Sequence, residues 1–289
     1  MGPCASAAPS LLVSPLDEAT AAQLDEIVAT GDPDRYVSAF FAPASKRQAL
    51  IALYAFHHEV GRVALTVREP MAGHIRLAWW REQIAAVYTG GTLQAPVPRA
   101  LAEVARGHAL PRDLFDAYLD ARAFDLEELP FVDEAAMDRH ADAVEGGLLC
   151  LAARVLGAGD GADAAAAFAG RAIAVGGHLH DLGAFAKLRR CRLPAAWLTE
   201  AQLNAEDVFA VGEGAAVSGP VFGRMKAKIE RELWRLSLAR YPRSATPAFA
   251  VATLARWPGG RRFDPLQPQP LPEWQRLLRL TNANFTWRY

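Results

Sequence analysis

Two short polar clusters interrupt the most apolar stretches of this 289-residue chain, and they hold residue types that do chemistry. The first is His57, His58 and Glu59, closely followed by Arg62. The second is His178, His180 and Asp181. Imidazole together with carboxylate suits zinc or iron better than magnesium. His58, His178 and Asp181 are the residues that would share such an ion. No HExxH-like spacing supports it, so no metal is expected. The plainer reading pairs the histidines with nearby carboxylates inside a roomy bundle. Tyr54 precedes the first cluster, and Arg76 and Trp79 follow it, able to hold an anion or stack on a ligand. Equally, Arg62, Arg76 and Arg81 can be ion partners of Glu59, Glu82 and Asp181, and Trp80 fits a core position.

The elements that must position these groups read as helices. Ala49 to Phe56 is apolar on nearly all sides, the mark of a core helix. Polar groups on its continuation must be paired or face a cavity. Helical period and Ala/Leu/Arg/Glu composition predict helices over 16–29, 34–41, 45–67, 74–88, 99–107 and 112–126. Further helices are predicted over 133–156, 163–188, 221–240, 245–257 and 272–284. Ser45 is the expected N-cap of the third. Gly146-Gly147 should let another helix approach closely, or soften its own helix at the cavity. No run of alternating β-branched residues stands out. The expected fold is therefore all-α, a single helical bundle over 16–289 behind a disordered lead-in at 1–15. Residues 200–219 read as a mobile connection, and 257–272, rich in Pro and Gly, as irregular.

Composition narrows the function. The net charge is −1 from 31 basic and 32 acidic side chains, with neither sign concentrated in an arm, so nucleic acid is not an expected partner. Cys4, Cys150 and Cys191 are far apart and lack metal-ligand spacing, which suggests a reducing compartment. No apolar run reaches the ~20 residues of a membrane span, and MGPCASAAPSLLVSP lacks the pattern of a secretory signal. A cytoplasmic location is expected. The basic stretch 221–240 (Arg224, Lys226, Lys228, Arg231, Arg235, Arg240) can be a solvated face, or can hold the protein at the periphery of the inner membrane.

Several ordered segments carry a family resemblance. FFAPASKRQALIALYAF resembles the first core helix of the squalene/phytoene synthase family, and LAWWREQIAAVYTGG its next helix. HALPRDLFDAYLDARAFDLEELPF, HADAVEGGLLCLAARVLG and LHDLGAFAKLRRCRLPAAWL resemble three later family segments in the same order. The resemblance implies the isoprenoid synthase fold with a central cavity. In that family two aspartate clusters on facing helices hold magnesium on a prenyl diphosphate. Here Gly61, Arg62 and Leu65 stand at the first cluster, and Gly177, Asp181 and Phe185 at the second. Magnesium needs carboxylate and phosphate oxygens, so the resemblance implies a scaffold without synthase activity, with no catalytic residue and no cofactor. Arg62 opposite Asp181 would form an ion pair. FHHEVGRVALTVREPMAGHIRLAWWREQI further resembles the alphaproteobacterial and mitochondrial branch typified by a respiratory complex I assembly factor. His57, His58 and His180 depart from that branch's pattern. The branch implies a protein partner, a complex I subunit or assembly intermediate, and leaves room for an isoprenoid or quinone-like lipid in the cavity. The alternative is a divergent transferase joining two prenyl diphosphates. That reaction would require magnesium, or would set the diphosphate against Arg62, Lys187 and Arg189 without it.

Overall fold

The computed structural model describes residues 17–210, 219–256 and 271–286. Every regular element among these residues is helical, and the only strand-like feature is one isolated bridge between Phe131 and Pro194. The chain runs through α1 (Glu18–Gly31), α2 (Pro33–Ala39), α3 (Ala44–Gly61), α4 (Val63–Thr66), α5 (Pro70–Thr89), α6 (Pro96–Gly107) and α7 (Arg112–Ala123). A 3₁₀ turn, Phe124–Leu126, leads to α8 (Glu134–Ala141), a π-helical segment (Asp142–Gly146) and α9 (Gly147–Val155). Then come α10 (Asp163–Lys187), α11 (Ala195–Glu200), α12 (Ala205–Phe209), α13 (Pro220–Leu238), α14 (Thr246–Phe249) and α15 (Glu273–Thr286). The lead-in expected over 1–15 and most of the irregular run expected over 257–272 lie outside the described residues. The part of the 200–219 connection that is described holds a capped helix, in which Asn204 and Asp207 satisfy each other's backbone N–H groups.

Two helices form the centre. Leu50 to Phe56 of α3 are no more than 1% exposed, so the helix is enclosed on every side, against α1, α6 and α9. Phe56 meets Trp80, Phe115 and Tyr118 at centroid distances of 5.4, 5.4 and 4.9 Å, which places Trp80 in the core. The other central helix, α10, packs against α13, α9 and the π-helical segment.

Three local expectations are corrected. Helix α3 does not run to 67: it ends at Gly61, Arg62 sits at φ −74°, ψ −10°, and α4 restarts after it. Ser45 is not the N-cap, because the helix already begins at Ala44 behind Pro43. The third concerns Lys228 alone of the basic stretch: α13 packs on α10 and buries it, while Arg224, Lys226, Arg231 and Arg240 stay exposed as a solvated face would. Lys228 is 1% exposed and bound to Glu134 and Asp138, Arg231 and Arg235 reach Glu232, and Arg224 pairs with Glu200. Of its six cations, only Lys226 and Arg240 make no such pair among the described residues.

The close approach expected at Gly146-Gly147 is real, but the glycine that requires it is Gly170 of α10. A Cβ there would lie 2.5 Å from Gly146 N and 2.8 Å from Gly146 Cα. Backbone cannot yield as a side-chain tip can. At Gly177, one turn before the Asp181 carboxylate, a Cβ meets nothing within 4 Å. Gly170→Ala should therefore lower unfolding free energy in urea by about 2 kcal/mol or more. Gly177→Ala should leave it unchanged or raise it by up to about 1 kcal/mol through helix propensity.

Candidate functional site

Helices α3 and α10 present their polar turns to one cavity of about 420 Å³. His57, His58, Gly61, Arg62 and Leu65 line it from the α3–α4 side, and Gly177, His178, His180, Asp181 and Phe185 from α10. Four further elements contribute charged groups: Asp32 and Arg35, Arg122 and Asp125, Glu145 from the π-helical segment, and Arg192 from the loop after α10.

These charges form a connected, buried chain of bonds. Arg35 binds Asp32 and Glu145, each at 2.6 Å. Glu145 Oε1 lies 3.4 Å from His57 Nε2. Arg122 donates to the Tyr118 hydroxyl through Nε at 3.2 Å and Nη2 at 3.1 Å. The hydroxyl lies 3.0 Å from His57 Nδ1 and 3.4 Å from the His57 carbonyl; donating to Nδ1 places the His57 proton on Nε2, toward Glu145. Arg122 Nη1 also donates to Asp125 Oδ2 at 2.9 Å. Asp125 Oδ1 accepts from His140 Nε2 at 2.7 Å and from Arg192. Three arginines (Arg35, Arg122, Arg192) thus face three carboxylates (Asp32, Asp125, Glu145), and the buried charge balances.

Burial sets the protonation states. It would raise the Asp125 carboxyl, but Arg192, His140 and Arg122 together hold it well below the usual range. Burial, then Arg35 and Arg122, pushes His57 well below an ordinary histidine. Burial, then Arg192, does the same to His178, whose Nδ1 has no hydrogen-bond partner in the protein. His180 is exposed and moves the other way, because Asp181 accepts its hydrogen bond at 2.8 Å.

The predicted site residues separate into three places. His57, His58, His178, His180 and Asp181 share the cavity, with the His58 ring packed on Gly31. Tyr54 is core, 1% exposed, and does not line the cavity. Glu59, Arg76 and Trp79 line a second groove on the outer side, between the end of α3 and α5. Arg62 lines both. The expected ion pairs are not the ones formed. Asp181 is taken by His180, Arg76 donates to the Thr66 hydroxyl at 2.9 Å, and Arg81 binds Asp120. Sequence reasoning missed Arg35, Arg122, Asp125, His140, Glu145 and Arg192. All but Arg35 lie in the family-like segments FDAYLDARAFDLEELP, HADAVEGG and RRCRLP, but there nothing distinguishes a buried cation from a solvated one.

These donors do not fit a magnesium cluster. The carboxylates that reach the cavity, Asp32, Asp125, Glu145 and Asp181, are each engaged by an arginine or a histidine. Non-ligating Gly61, Leu65, Gly177 and Phe185 line it where carboxylates would be needed. Nor are His58, His178 and Asp181 brought into a metal-holding group; none of three or more His, Cys, Asp or Glu occurs among the described residues.

A helical bundle closed around a polar cavity between two central helices is the all-α isoprenoid synthase fold. The chain belongs to the squalene/phytoene synthase family, whose model matches residues 28–257. A crystal structure of a dehydrosqualene synthase superposes with a TM-score of 0.74 over 93% of this chain and 96% of that one, at 14% identity, which speaks for the fold alone. Among curated relatives, the chain is 26% identical over 148 residues to NADH dehydrogenase (ubiquinone) complex I, assembly factor 6, from Bos taurus; this is 51% of the chain and 44% of that protein. It is 27% identical over 217 residues to phytoene synthase from Rhodobacter capsulatus, 73% of this chain and 62% of that one. That match spans less than half the length of the Bos taurus assembly factor.

The buried histidines make stability fall with acid. Below about pH 6.5 the unfolded chain takes up protons on His57 and His178 that the folded chain refuses, so stability is lost as pH falls. Urea unfolding from pH 7.5 to 5.5 should show a loss of roughly 1.4 kcal/mol per pH unit for each such histidine below that point. His178→Gln should reduce this slope by one histidine's share. An unchanged slope would mean that His178 titrates normally in the folded protein.

Proposed function

We propose that this chain is a non-catalytic member of its family that works as an assembly factor for respiratory complex I, through contacts with a subunit or an assembly intermediate. The observation that carries the reading is the ion-pair network. Groups that would have to ligate magnesium are absent or are bound to the protein's own arginines and histidines. Similarity to complex I assembly factor 6 supports the biological half of the reading. No helix among the described residues is long and apolar enough to cross a membrane. We place the protein in the cytoplasm, with any contact at the inner membrane made through its partner. The proposal does not include a bound isoprenoid. A hydrocarbon chain laid against Arg35, Arg122 and Arg192 would strip water from charged groups without replacing its hydrogen bonds.

The second reading, a prenyl diphosphate transferase, rests on the match to phytoene synthase over 73% of the chain. Purified protein incubated with farnesyl or geranylgeranyl diphosphate and magnesium separates the two. We expect no diphosphate release above a chelator control. A deletion strain should lose complex I activity while its carotenoid and hopanoid levels stay normal. Magnesium-dependent release would restore the transferase reading.

A further inference from the structure

The outer groove is a second site that the synthase chemistry does not explain. It has a volume of about 700 Å³ and lies between the end of α3, α4 and α5. Its floor is apolar, formed by Val63, Trp80 and the half-buried Trp79. Ile75 stands at its edge, 65% exposed, and Met71, one turn earlier on α5, is 69% exposed. Large aliphatic side chains this open are unremarkable singly, but not beside a groove lined by two tryptophans.

The charges of the groove are unlike those of the cavity. Every buried arginine of the cavity has a carboxylate partner, whereas Arg62 and Arg76 have none within ion-pairing distance among the described residues. Arg76 has only the Thr66 hydroxyl, donating to it at 2.9 Å. The one acidic group in the lining, Glu59, is half-buried, and burial pushes its carboxyl upward, with Arg62 opposing. The groove therefore offers two cations against one carboxylate. An apolar trough with arginines at its lip complements an amphipathic segment carrying aliphatic or aromatic anchors and a nearby Asp or Glu. Arginine suits this task because its planar fork grips a carboxylate through two N–H groups at once.

We infer that this groove is the docking site for an acidic amphipathic helix of a partner protein, with apolar anchors on Trp79, Trp80 and Ile75 and a carboxylate on Arg62 and Arg76. The inference deepens the assembly-factor reading and rests on it for the partner's identity, but not for the chemistry of the groove.

The test has two arms. In the first, a display library of random 16-residue peptides is selected on the purified full chain, and enriched peptides are titrated by fluorescence anisotropy against wild type, R62E/R76E and I75D. A control variant, W274S/L278S, removes exposed apolar residues of α15 away from the groove. Circular dichroism and melting temperature establish that each variant folds, which the exposure of Arg62, Arg76 and Ile75 favours. The expected peptides are acidic, with apolar residues three or four apart. They should lose at least about tenfold in affinity on R62E/R76E and on I75D, and keep it on the control. Peptides that are not acidic, or that bind the groove variants as well as wild type, overturn the inference. In the second arm the same variants are returned to a deletion strain and complex I activity is measured. If wild type restores activity and the groove variants restore it equally, the groove is not the docking site although the assembly reading stands. If wild type has no effect on complex I but acidic peptides still require Arg62, Arg76 and Ile75, the groove stands and the assembly reading falls.

Discussion

The bond on which the centre of this protein depends is the contact of Asp125 with Arg192, Arg122 and His140. A single carboxylate, 1% exposed, accepts from two guanidiniums and an imidazole. Each arginine would be costly in this interior alone, and so would the aspartate. Together they are tolerable, and they join parts of the chain far apart in sequence: the end of α7, α8 and the loop after α10. That loop is held a second time by Arg190, which donates to the carbonyls of Ala64 and Val67 and so fixes the end of α4. Arg190 and Arg192 of the basic run after α10 are therefore structural, and Arg192 lines the cavity.

The break in α3 divides the polar surface into two. Had the helix continued past Gly61, Arg62 would have stood on a regular helical wheel. Instead Arg62 lies at the turn into α4 and lines both the cavity and the outer groove. On the cavity side Arg35, Arg122 and Arg192 each meet a carboxylate. On the other the protein leaves two arginines beside exposed aliphatic side chains. An interior must balance its charge because water cannot do so. A surface that leaves cations unmatched next to apolar area incurs little cost in water and gains when a complementary surface arrives.

The fold was legible because it is written in local pattern. The unbroken apolar run from Ala49 to Phe56 can only be an enclosed helix, and the all-α architecture followed from period and composition. The clusters at His57 and His178 were legible as polar interruptions of such helices, and they do share the cavity. What stayed hidden was pairing. His180 lies next to Asp181 in sequence and takes the carboxylate that Arg62 was expected to reach. Glu145 reaches inward from a π-helical turn, a backbone form that the pair Gly146-Gly147 hints at without specifying. Lys228 looks like any lysine of an amphipathic basic helix, yet it is buried among Glu134, Asp138 and Glu232. Partners contributed by other helices decide whether a charge is solvated, matched or free, and one helix's sequence does not contain them.

The same pairing shows how the polar turns of this scaffold are satisfied by the protein's own side chains. A bundle whose two central helices turn polar facing each other needs something between them to satisfy those turns. In the enzymes of the family, metal ions and a diphosphate meet carboxylates there. Here Gly61, Leu65, Gly177 and Phe185 remove most of the carboxylate demand, and Arg35, Arg122 and Arg192 answer the carboxylates that remain. Arg35, Arg122 and Arg192 balance Asp32, Glu145 and Asp125 within the protein itself. The outer wall of the same helices differs, because there Arg62 and Arg76 have no carboxylate within ion-pairing distance among the described residues.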